Sequence, residues 1–171
     1  MASSKTSRTI EIISFLIAIA SFAEASIIIR SNHTGSDKMQ MLGIVTPTPA
    51  RCYWNENGTF VQMEVTSCTV QACIMTVGST YYISPTFWPA HNTISMKYRL
   101  RFIYGSVSSM ATYDFGTKTY TDSFYGGNSY KLVEPVTIPA ALRGKTGQFE
   151  VRYYDQISTH INRCFAGLIE N

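Results

Sequence analysis

The chain has 171 residues and a formal net charge of +3, with 45% hydrophobic and 13% aromatic residues. Its basic residues are scattered, with no arginine-rich helix and no basic cluster, and this excludes nucleic-acid binding as the organising function. No Gly-rich phosphate loop, zinc-protease helix motif or paired-acid pattern is present either.

Lys5 and Arg8 precede an apolar run from Ile12 to Phe22, and Ala23-Glu24-Ala25 supplies a small-x-small cleavage pattern. The run is short for a bilayer span, and Glu24 and Arg30 interrupt its extension through Ile27, Ile28 and Ile29. Residues 1–25 are therefore expected to be a signal peptide. The product is expected to be extracellular or to reach the endosome–lysosome lumen. Its removal leaves 146 residues, enough for one domain with its own core.

Residues 26–50 show no steady period and end in Thr46-Pro47-Thr48-Pro49, the pattern of an irregular N-terminal arm or a short first strand. The compact domain is expected over 51–171. Asn32-His33-Thr34 and Asn57-Gly58-Thr59 are N-glycosylation sequons, meaningful in a secreted chain.

Beyond Asn57-Gly58 the chain reads as strands. Val61, Met63 and Val65 alternate with Gln62 and Glu64, and Tyr81 to Phe87 forms a second extended run whose Pro85 calls for a sheet edge or a bulge. In Lys97 to Tyr104 one face carries Lys97, Arg99 and Arg101, and the other Tyr98, Leu100, Phe102 and Tyr104. Ala111, Tyr113 and Phe115 extend the pattern, Gly126-Gly127-Asn128 is a turn, and Tyr130 to Val136 is extended. Ala140 to Lys145 suits one helical turn or a loop. Gln148 to Tyr154, with Phe149, Val151 and Tyr153 inward, and His160 to Ile169 are the last strands. Seven or so short strands point to an all-β, two-sheet sandwich, with an open barrel as the competing architecture.

Four cysteines in a secreted chain read as two disulfides. Three pairings are open; the short step from Cys68 to Cys73 suits a local clip, which leaves Cys52 for Cys164. Closing that long loop contributes on the order of 4 kcal/mol in the chain-entropy model. No zinc site is expected, because there is no CxxC and His33, His91 and His160 are dispersed. Asp155 and His160 are read as a solvated loop pair, not as part of a catalytic dyad, and the chain is expected not to be an enzyme.

The segment from Val65 through Cys68-Thr69-Val70-Gln71-Ala72-Cys73 to Gly78-Ser79-Thr80-Tyr81-Tyr82-Ile83 resembles the signature of the ML, or MD-2-related lipid-recognition, domain family. That family includes the Niemann-Pick type C2 sterol-transfer protein and the group 2 mite allergens. Its members show a cysteine, four intervening residues, a second cysteine, and then a Gly-x-x-Tyr/Phe step. Thr69 and Ala72 stand here where prolines are usual. Glu150 to Asp155 and Cys164-Phe165 resemble the last two strands, so the likeness spans about residues 50–171. It departs in the middle of the domain, where many sterol-binding members have a third disulfide and residues 105–145 have no cysteine.

The resemblance implies an immunoglobulin-like sandwich with an apolar cavity between its sheets, binding or transferring a lipid or sterol. No cofactor is needed, and release implies transient contact with a membrane or a membrane receptor. The expected lining is the inward set Val61, Met63, Tyr81, Ile83, Phe87, Leu100, Phe102, Tyr104, Val151 and Tyr153. Phe87 is singled out because the family places a ligand-contacting aromatic there. The alternative function is a lipid-presenting or lipid-free co-receptor or other protein-recognition module.

Overall fold

The computed structural model describes residues 27–30, 42–52 and 55–171. The expected signal peptide and Asn32 lie outside the described residues. Those residues form strands β1 (Ile27–Arg30), β2 (Leu42–Ile44), β3 (Ala50–Arg51), β4 (Thr59–Thr66), β5 (Cys73–Thr76) and β6 (Thr80–Trp88). They are followed by β7 (Met96–Tyr104), β8 (Ala111–Tyr120), β9 (Tyr130–Thr137), β10 (Thr146–Tyr154) and β11 (Thr159–Glu170). A single 3-10 turn, Ala140–Leu142, joins β9 to β10 and buries Leu142.

One sheet has the order β1-β9-β6-β4-β2, and the second β3-β11-β10-β7-β8, with β5 parallel to the end of β11. Face to face they form a β-sandwich. The alternation of β7 explains its place inside the second sheet: Met96, Tyr98, Leu100 and Phe102 are buried, and Lys97, Arg99 and Arg101 take the opposite face. In β10, Phe149, Val151 and Tyr153 are likewise buried. From the first sheet Met63, Val65, Ile83, Phe87, Tyr130, Leu132 and Val136 complete the core.

Bulges in β4 and β8 break this alternation, and a further register shift lies between β10 and β11. In β4, Phe60 pairs with Phe87 and Gln62 with Thr86, so Val61 is an extra residue without a partner on β6. Val61 is consequently 48% exposed, which corrects its expected inward position, while Met63 and Val65 beyond the bulge are fully buried. In β8, Leu100 of β7 faces two residues, Phe115 and Gly116. Gly116 adopts φ +100°, a conformation that a side chain disfavours. Tyr113 and Phe115 face the core before this bulge, and Lys118 and Tyr120 face it afterwards.

β6 lies between β9 and β4, not at an edge. Pro85 is accommodated because the β6–β9 ladder skips Ser84 and Pro85, pairing Ile83 with Glu134 and then Thr86 with Lys131. The described residues 27–30 and 42–50 include strands paired in the sheets, in place of an irregular arm. β1 runs parallel to β9, β2 pairs with β4, Ala50 begins β3, and Val45 is buried. Strands before Cys52 therefore pair with both sheets. Disulfides join Cys68 to Cys73 and Cys52 to Cys164.

Candidate ligand site between the sheets

Of the residues expected to line a ligand, Met63, Ile83, Phe87, Leu100, Phe102, Val151 and Tyr153 are all fully buried between the sheets. Tyr81 and Tyr104 are half-buried against the margin of that core. Tyr81 is anchored at that margin to β5, which pairs with the facing sheet, since its hydroxyl accepts the Thr76 amide at 2.7 Å. The inward aromatics divide into two groups. Phe102, Phe149 and Phe165 stack at one end, with centroids 4.6 and 5.2 Å apart. Tyr153 anchors the other, 5.1 Å from Phe87 and 5.0 Å from Tyr98.

The second group carries polar atoms: Tyr153 belonged to the expected lining and Tyr98 to the expected inner face, whereas Lys118 and Glu134 were not singled out from the sequence. Tyr153, Tyr98 and Lys118 are successive cross-strand partners on β10, β7 and β8, so they form one row across the inner face of the second sheet. Lys118 ends the row at the sheet edge, and its ammonium lies 3.1 Å from Glu134 of β9 in the facing sheet. Neither the Tyr98 nor the Tyr153 hydroxyl has a hydrogen-bond partner, and both are buried. Burial first, and the negative charge of Glu134 with it, pushes both phenols well above their usual pKa of 10.0. Both are therefore protonated donors at physiological pH.

A signal for Glu134 was present in the chain: it is the one acid in the inward series Tyr130, Leu132, Glu134, Val136. Lys118 had no such signal, because the bulge at Gly116 decides which face it takes. At the other side of the sandwich, Arg163 of β11 stacks 4.5 Å over Phe60 and is held by the fully buried Glu56 side chain. The Lys118–Glu134 ion pair and the contact of Arg163 with Phe60 thus link the two sheets.

A second cluster lies at the β10–β11 turn. Asp155 Oδ2 is 2.8 Å from His91 Nε2 and 3.3 Å from His160 Nε2, and His160 is fully buried. The expected solvated pair is therefore a largely buried group of three. Asp155 Oδ1 accepts the Ile157 and Ser158 amides. Burial works to raise the Asp155 pKa, but these amides and His91 overcome it and hold it at about 2. One carboxylate and two imidazoles suit a divalent ion by ligand type. The hydrogen bonding does not: His160 Nδ1 accepts the Ala90 amide at 3.1 Å, which leaves the ring proton on Nε2, where a metal would need a lone pair.

No protein-family model and no curated protein matches the chain. Among solved structures, a Niemann-Pick type C2 protein from Japanese carpenter ant aligns over 71% of this chain and 98% of that one, with a TM-score of 0.59 and 12% identity. The two share a fold. Spo0M, a sporulation control protein from Bacillus subtilis, aligns over 68% of this chain and 51% of that one, with a TM-score of 0.43 and 9% identity.

Proposed function

We propose that this chain is a secreted, non-catalytic ML-like carrier that binds a lipid or sterol between its two sheets and releases it on contact with a membrane or a membrane receptor. The observation that carries the reading is the sandwich shared with a Niemann-Pick type C2 protein, combined with an inter-sheet face built from Phe87, Leu100, Phe102, Val151 and Tyr153. The ML-like segment around Cys68 and Cys73 supports it from the sequence side. Val61 takes no part, being on the outer surface. Asn57, exposed before β4, is a proposed glycan site.

The energetics suffice for a carrier. Burying roughly 400 Å² of apolar ligand surface at about 25 cal/mol per Å² gives roughly 10 kcal/mol before the costs of association and of parting the sheets. The test is expression through a eukaryotic secretory route, purification without detergent, and native mass spectrometry followed by lipid extraction. A stoichiometric sterol, fatty acid or phospholipid is expected. Repeated failure to find one, with no uptake of labelled lipid, would move the function to protein recognition by a closed sandwich.

A further inference from the structure

Tyr98 and Tyr153 are direct cross-strand partners whose rings lie 5.0 Å apart, so both side chains leave the sheet on the same side, towards β6 and β9. The Tyr153 ring packs against Phe87 and Tyr120, and the Tyr98 ring packs against Tyr153. Their hydroxyls are not, because each is buried without a partner. A buried donor left unpaired is destabilising, whereas phenylalanine would pack the same ring without that cost. The packing between the sheets therefore leaves these two oxygens free to take a hydrogen-bond acceptor.

We infer that Tyr98 and Tyr153 are the recognition point for the polar group of the bound lipid, and that this group is a neutral alcohol oxygen. The inference rests on the carrier reading above and adds an orientation, with the polar end of the ligand among the aromatics of β7 and β10. Charge selects the class. Glu134 of the facing sheet and Lys118 at the end of the row are already paired at 3.1 Å, so a ligand carboxylate would be buried there without a counter-charge of its own. An ammonium would compete with Lys118 for Glu134 and gain nothing from two phenol donors. An alcohol oxygen accepts two hydrogen bonds and carries no charge, which suits two buried phenol donors on neighbouring strands.

The experiment compares uptake, delivered from cyclodextrin, of cholesterol against cholestane and of octadecanol against octadecane and octadecanoate. It uses the wild type and the Tyr98→Phe/Tyr153→Phe double variant. The wild type is expected to hold the alcohol of at least one pair about tenfold more tightly than its hydrocarbon. The double variant should keep hydrocarbon uptake, lose that preference, and melt no lower than the wild type. Equal binding of alcohol and hydrocarbon by the wild type, or an undiminished preference in the double variant, overturns the inference and leaves the carrier reading standing. Tighter binding of octadecanoate than octadecanol overturns the neutral-oxygen assignment. A lower melting point in the variant shows that the hydroxyls serve the fold, and overturns the inference as well. Uptake of none of the probes overturns both the carrier reading and the inference.

Discussion

His160 accepts a backbone hydrogen bond from Ala90 on Nδ1, so the nitrogen that an added proton must take is already occupied. Burial lowers its pKa from 6.5, Asp155 opposes the lowering, and His91 adds to it. Between 6.5 and that lower folded value the unfolded chain binds more protons than the folded one, so stability falls as the pH drops below 6.5. Asp155 contributes in a separate window. Its pKa is lowered from 3.8 to about 2, so its contribution is complete above 3.8 and is lost as the pH falls through about 2. His160→Asn keeps an acceptor for the Ala90 amide and removes the titration. The expected result in melting curves is a wild type that loses stability below pH 6.5 and a variant that is flat until the Asp155 window. A variant that follows the wild-type curve would assign the early loss to another group. The Asp155–His160 pairing was legible only as two residues near one turn; that His91, from the loop before β7, joins them was not.

At the scale of elements, β7 and β10 were readable residue by residue, because alternation is a local property and neither strand contains a bulge on its core face. β4 and β8 were not readable in the same way. In β4 the extra residue is Val61 itself, which lies outside, and in β8 one extra residue inverts the side chains beyond it, which puts Lys118 inside. The only cue in β8 was a glycine within a strand. A side chain at Gly116 meets no atom within 4 Å, so a substitution there reports on the backbone alone. Gly116→Val is expected to lower stability by roughly 1–3 kcal/mol, from the cost of φ +100° for a β-branched residue. Urea unfolding checks this. An unchanged midpoint would mean that β8 re-registers freely, and that Lys118 is not held inward by the bulge. Pro85 shows the same limit in another form, since its missing amide is tolerated inside the sheet by a gap in pairing that only the neighbour β9 reveals.

For the whole molecule, the two disulfides act over very different lengths of chain. Cys52 and Cys164 are 112 residues apart, and Cys68 and Cys73 are 5 apart. In the chain-entropy model the long closure contributes about 4–5 kcal/mol and the short one about 2 kcal/mol. Guanidinium unfolding of Cys52→Ala/Cys164→Ala and of Cys68→Ala/Cys73→Ala should therefore show the first variant to be clearly less stable. Equal losses would show that local contacts, not loop closure, set the contribution. The sequence by itself determined that the chain is all-β and which residues of β7 and β10 face inward, because side-chain alternation is written in neighbouring positions. Tertiary structure alone decided that residues 27–30 and 42–50 join the sheets and that β6 is central. It also decided that Tyr98, Tyr153, Lys118 and Glu134 meet. Those outcomes depend on pairing between strands far apart in the chain and on bulges that reset the phase of the alternation, and neither leaves a periodic trace in the residues themselves.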